Sequence, residues 1–183
     1  MKLLLHICCG PCALYPVKEL LNKKFDKITG FFYNPNIHPP SEYKRRKDAL
    51  YEASREQACL SPTGFEIIYP EYKMEEYFRA VLLKEDSPER CSLCWELRLS
   101  ETANFAKNNG FDAFTTTLLI SPYQNHEKVK NIGESIAEEK GIQFYYQDFR
   151  PGFKDGQEQA RKENLYRQKY CGCVFSELER VKI

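Results

Sequence analysis

What most constrains this chain is an alternation of short apolar runs with longer segments of helical periodicity. Leu3–Cys8 is a compact apolar run that reads as a buried strand, and a helix is expected to follow from Cys12 to Lys24, with Leu14, Val17, Leu20 and Leu21 on one face. Lys27–Tyr33 reads as a second strand that ends in the breaker-rich NPNIHPP, after which Ser41 is suited to cap a charged helix over Glu42–Gln57. Phe65–Tyr69, Ala113–Leu119 and Gln143–Tyr146 read as further strands. Between and after them, helices are expected over Met74–Leu83, Ser92–Asn109 (closed by Asn109-Gly110), Glu127–Lys140 (stopped by Gly141) and Gln157–Lys169. Parallel strands need crossover connections, so this alternation predicts an α/β fold: one domain over residues 1–183, a doubly wound parallel sheet of about five strands. Ligands of such sheets sit beyond the carboxyl ends of the strands, where strand order reverses, and the first strand usually lies there.

That position is filled by Cys8-Cys9-Gly10-Pro11-Cys12, directly after the first predicted strand. Seven of the eight cysteines fall in tight groups: CCGPC, the CxxC of Cys91 and Cys94, and the CxC of Cys171 and Cys173. Adjacent, CxC and CxxC cysteines are poorly placed to staple distant loops, and no export signal precedes them, so metal or redox chemistry is expected rather than a disulfide framework. Iron–sulfur clusters often use four thiolates, as do structural zinc sites; seven overfill either alone. A thioredoxin-like reading of Cys91 and Cys94 lacks the strand that should lead into the CxxC. The CxxC is expected to open a helix, whose free amides favour thiolate. The CxC is expected after the last helix, folded back over the site. Cys59 stands alone and reads as a small, partly buried hydrophobe.

Among the other candidates, His6 lies inside the first strand and reads as a core histidine. His38, in a proline-bracketed loop at the crevice, divides evenly between substrate contact and a plain turn role, while His126 belongs to a helix start. Asn34, Asn36, Tyr123 and Gln124 occupy loops after strands and are candidates for substrate contact; Trp95 is expected to pack beside the metal. The net charge is only +1, so bulk electrostatics selects no partner. Lys44-Arg45-Arg46-Lys47 reads first as a solvated helix face. Together with Arg150, Lys154, Arg161, Lys162, Arg167 and Lys169, it makes a local phosphate-binding surface the alternative. No apolar run approaches the roughly 20 residues needed to span a bilayer, and a cytoplasmic location is expected.

Five motifs in order, LLLHICCGPC, FYNPNIHP, ERCSLCWELRL, TTLLISPYQN and YCGCVFSE, resemble the cobalamin-independent epoxyqueuosine reductases of the QueH type, from residue 2 to about 177. The resemblance implies removal of the epoxide oxygen from epoxyqueuosine in tRNA, the last step to queuosine. It also implies a [4Fe-4S] cluster with an adjacent mononuclear iron, on a fold like the adenine-nucleotide alpha-hydrolase (HUP) superfamily. Carried over by motif, Cys8, Cys9, Cys12, Cys91, Cys94, Cys171 and Cys173 are the ligand candidates; which thiolate binds which iron stays open, with a preference for CxxC in the cluster set, CxC near the single iron and CCGPC serving both. Asp86, Asp148 or Asp155 is a candidate to complete either set, and Tyr123 or His38 to donate a proton. The expected partners are the epoxyqueuosine-bearing tRNA and an unidentified electron donor, with no membrane. ATP-dependent tRNA thiolation is the rival on this fold, but it needs a phosphate loop of the SGGxDS kind. Here CCGPC offers one glycine and a proline with no N–H. A non-enzymatic iron–sulfur or metal-binding protein would leave the polar, aromatic crevice loops without a purpose.

Overall fold

The computed structural model describes residues 1–55 and 65–181. Strand β1 (Lys2–His6) is central, with β2 (Lys27–Phe31) on one side and β4 (Ala113–Thr116) on the other; β3 (Glu66–Ile68) and β5 (Gln143–Phe144) form the edges. All pairings are parallel, and Leu3 sits between Ile28 and Ala113 in register. Leu3, Leu4 and Leu5 are fully buried although neighbours on a strand point to opposite faces. Helices therefore cover both sides, which is why β1 is a continuous apolar run rather than an alternating one. The order β3-β2-β1-β4-β5 reverses at β1, as in the expected doubly wound architecture.

Helices α1 (Gly10–Leu21), α2 (Pro40–Ser54), α3 (Met74–Ala80), α4 (Arg90–Asn108) and α5 (His126–Lys140) supply the crossovers; α6 (Phe153–Lys162) and α7 (Val174–Val181) follow the sheet. Helix α5 is bounded as its sequence suggests, capped by the Asn125 side chain on Lys128 N and ended by Gly141 in the left-handed conformation. Elsewhere the expected boundaries move. Helix α2 is capped by Pro39 and begins at Pro40, not after Ser41, because proline at the first helical position gives up an N–H that has no partner there anyway. Strand β4 stops at Thr116, whose side chain caps a 3-10 turn over Thr117–Ile120. Helix α6 starts four residues before the expected Gln157 and ends at Lys162, and α7 was not expected at all. Among the described residues no helix is long and apolar enough to cross a membrane. Cys59 and the expected end of α2 at Gln57 lie outside the described residues.

Candidate metal centre

Strand β1 ends where its backbone is handed over to side chains. His6 is fully buried, with Nδ1 2.8 Å from Thr116 Oγ1 and Nε2 3.1 Å from Tyr33 O; burial holds its pKa down to about 3, so it is the neutral core histidine expected. Ile7 O accepts from Asn34 Nδ2 at 2.8 Å, and Cys8 N donates to Thr117 Oγ1 at 3.0 Å. The chain then turns directly into α1, with Cys9 extended at the cap and Pro11 in the first turn. A Cβ on Gly10 would lie 3.1 Å from Ala49 O, so glycine lets α2 pack against this turn. The turn gathers the thiols of Cys8, Cys9 and Cys12, all within 4.8 Å of one another. Hydrogen bonds from Cys12 and Cys9, helped by the Arg98 charge and Thr117, bring the Cys8 thiol well below its usual range. Burial pushes Cys9 up, and hydrogen bonding with Cys8 and Cys9 pushes Cys12 up. The opposed shifts make the three thiols one coupled group in which Cys8 is the most acidic.

Cys91 and Cys94 lie in the first turns of α4, as expected, but without the expected gain in acidity. Burial raises Cys94 to about 12 and raises Cys91 as well. The CxC does not follow the last helix; it lies between α6 and α7, at the end of a strap over residues 163–173 that returns across the crevice. Helix α2 holds that strap. Arg46 Nη1 donates to Cys171 O (2.8 Å), Nη2 to Tyr170 O (3.1 Å) and Nε to Glu42 Oε1 (2.8 Å), while Tyr166 OH donates to Glu42 Oε2 (2.7 Å). His38 N donates to Gly172 O at 2.8 Å, and Gln168 Nε2 points to Cys9 Sγ at 2.9 Å. As a result Cys91, Cys94, Cys171 and Cys173 line one hollow of about 360 Å³. A neighbouring cavity of about 540 Å³ is lined by Cys8, Cys12 and Cys171. Tyr123, Gln124 and Cys171 form the wall common to both. All seven described cysteines are free thiols.

The other candidates divide. Tyr123 is 84 % exposed and faces both hollows. His38 is buried against Tyr77 and Phe78, with ring centroids 5.2 and 4.7 Å away, and burial lowers its pKa to about 4. Trp95 borders the CxxC hollow as expected, and its Nε1 donates to Gln124 Oε1 at 3.0 Å. Gln124 in turn points Nε2 at Cys171 Sγ, 3.6 Å away. Asn34 is not at the crevice surface; it is buried, tying Ile7 O to Arg98 Nη2. Asn36 is buried too, on the wall of the CxxC hollow. Asp148 is engaged by Arg150, and neither it, Asp86 nor Asp155 lines the two hollows. Of the basic residues, Arg46, Arg161, Arg167 and Lys169 line the larger cavity, whereas Arg150, Lys154 and Lys162 do not.

Three residues at the site were not singled out from sequence, and a fourth, Arg46, was read only as one of a basic run. Arg46 is not part of a solvated face but 2 % exposed, since it shares with Glu42, Ala49, Leu50 and Ala53 the buried side of α2. The signal was its i,i+4 spacing from Glu42. Arg98, one turn beyond Cys94, was legible the same way. Gln168, on the strap, and Glu179, on α7 and paired with Arg90 beside the CxxC, had no local signal.

Residues 3–179 match the family model described as QueH, Epoxyqueuosine reductase QueH. Epoxyqueuosine reductase QueH of Dehalococcoides mccartyi is 41 % identical over 180 residues, covering 98 % of this chain and 94 % of that protein. The protein of the same name from Thermotoga maritima is 37 % identical over 185 residues, covering 97 % and 91 %. Among solved structures, a predicted subunit of tRNA methyltransferase from Methanocaldococcus jannaschii superposes with a TM-score of 0.53 at 12 % identity, over 88 % of this chain and 74 % of that one. At that identity the likeness is one of fold.

Proposed function

The chain belongs to the epoxyqueuosine reductase QueH family and is an oxidoreductase, and from that premise we propose that its seven clustered thiols hold a [4Fe-4S] cluster beside a single iron that together reduce epoxyqueuosine to queuosine in tRNA. The observation that carries the metal reading is the Cys8/Cys9/Cys12 group. Metal–thiolate bonds of about 2.3 Å at tetrahedral angles set sulfur atoms about 3.8 Å apart. Cys8 Sγ and Cys9 Sγ are 3.8 Å apart. The other four thiols share the adjoining hollow, so the donor set fits two centres side by side better than one. When bound, such centres supply electrons one at a time and a Lewis acid for the departing oxygen.

The protein's own residues have separate duties in this reading. Gln124 and Gln168 orient thiols from the two sides of the crevice. Of the two proton-donor candidates, Tyr123 is the one proposed to handle the proton: it borders both hollows, whereas His38 lies buried against Tyr77 and Phe78 and lines neither. Arg161, Arg167 and Lys169 at the larger cavity suit the phosphates of a tRNA loop, with Tyr170 and Phe153 beside them for a base. A tRNA substrate and unpaired thiols both suit the cytoplasm. The electron donor is an external one-electron reductant.

Anaerobically purified protein should hold about five irons per chain, four as cluster and one alone. With a strong one-electron donor it should convert epoxyqueuosine-bearing tRNA to the queuosine form, read by nucleoside mass spectrometry. Cys12→Ser and Cys94→Ser should lose different amounts of iron, and so assign the two groups to the two centres. Stoichiometric zinc with fewer than four irons would sink the cluster, and unchanged tRNA would sink the reaction.

A further inference from the structure

Arg98 is 2 % exposed, yet it lines the larger cavity together with Cys8, Cys12 and Cys171. It lies on α4 four residues after Cys94, so its side chain shares a face with that thiol. Nη2 donates to Asn34 Oδ1 at 2.7 Å, and Nε has no hydrogen-bond partner. The other deeply buried arginines have carboxylates, Arg46 with Glu42 and Arg90 with Glu179; among the described residues no carboxylate pairs with Arg98. A buried cation without an anion is costly, and its surroundings should supply one. Cys8, Cys12 and Cys171 line the same cavity as Arg98, and the thiols of Cys8, Cys94 and Cys171, from three separate segments, all feel its charge, as does the Tyr33 phenol.

We propose that Arg98 is the fixed counter-charge of the metal-bound thiolates, a positioning residue set between the Cys8/Cys9/Cys12 group and the Cys94/Cys171 side of the crevice. The proposal rests on the metalloenzyme reading above. A divalent ion held by three thiolates keeps one excess negative charge, and a cubane on four keeps more. In a dry crevice that excess needs a cation nearby. Arginine suits the post because it stays charged when buried, and its planar fork reaches Asn34 and the thiols together.

Its test uses Co(II), whose binding to thiolates is read by sulfur-to-metal absorption and needs neither cluster nor turnover. Full-length apo-protein is prepared anaerobically as the parent, Arg98→Met and Arg98→Lys. Arg98→Met should bind Co(II) at least about tenfold more weakly, with Arg98→Lys restoring most of the affinity. The melting temperature of the metal-free Met variant should equal or exceed the parent's, because an unpaired buried charge has gone, while its rise on adding Co(II) should shrink. A purely structural role through Asn34 predicts the reverse: a less stable apo-protein with an undiminished metal-induced rise. That pattern, or parental Co(II) affinity in Arg98→Met, overturns the proposal. If the parent itself shows no thiolate–Co(II) band, the metal reading falls and this inference with it. Failure of the reductase assay alone leaves the Co(II) comparison standing.

Discussion

His38 and Tyr123 show how little the type of a residue says before its surroundings are known. Both stand in polar loops after strands, yet one is packed beneath aromatic rings and the other is 84 % exposed at the mouth of the site. Burial lowers the folded-state pKa of His38 from 6.5 to about 4, so between those values the unfolded chain binds more protons than the folded one. His38 therefore contributes stability that is fully present above about pH 6.5 and lost as the pH falls toward 4. Urea unfolding at pH 7, 5.5 and 4.5 should show a shallower acid-side loss in His38→Gln than in the parent, and equal slopes would refute the assignment. At neutral pH the ring carries no extra proton to give. Tyr123→Phe should accordingly lower single-turnover reduction of tRNA by about tenfold or more, while His38→Gln stays within a few-fold. Equal losses in both variants would move His38 into the chemistry.

The elements differ in how far they could be read ahead. The strands were legible because both sheet faces are covered, so burial wrote itself as unbroken apolar runs such as Leu3–Leu5. The thiols of CCGPC were legible for a topological reason: they follow the central strand of a sheet whose order reverses there. The strap was not. Residues 163–173 hold no regular structure, and α7, eight residues long, owes its place to tertiary contacts through Arg90 with Glu179 and Phe175. Arg46 was hidden in a KRRK run that reads as solvent-facing, and only its spacing from Glu42 distinguishes it. Because Arg46 bonds two strap carbonyls and a buried carboxylate, Arg46→Leu should destabilise the protein by about 3 kcal/mol or more, leaving Glu42 buried and unpaired. Limited proteolysis should then cut within 163–173, and, if the proposed metal assignment holds, metal at Cys171 and Cys173 should be lost before metal at the Cys8 group. A strap as protease-resistant as the parent's would show that α2 does not hold it.

For the whole molecule the question is how a chain of net charge +1 can engage a polyanion. The fold answers by sorting its cations. Many pair with carboxylates at the surface, Lys27 with Glu66, Lys44 with Asp48 and Arg150 with Asp148, and these add little to a distant phosphate. Arg161 comes from the end of α6, Arg167 and Lys169 from the strap, and they converge on the larger cavity beside Cys8 and Cys12. Charge gathered at the crevice, rather than spread over the surface, would bring the backbone of a tRNA loop against the clustered thiols and leave other nucleic acid weakly held. If so, the salt dependence of binding reports these residues one by one, since each phosphate contact releases about 0.7 to 0.9 of a counterion. Arg161→Ala, Arg167→Ala and Lys169→Ala should each weaken binding of epoxyqueuosine-bearing tRNA and make the slope of log K against log salt shallower by about 1. Arg150→Ala, which removes a cation already paired with Asp148 and outside the cavity lining, should change neither. Filter binding or anisotropy across a salt series, with the metal content of every variant checked to match the parent's, separates a lost phosphate contact from a damaged centre. Unchanged slopes in all three cavity variants would mean that the tRNA approaches the thiols from the α7 side instead, across the hollow lined by Arg90 and Glu179.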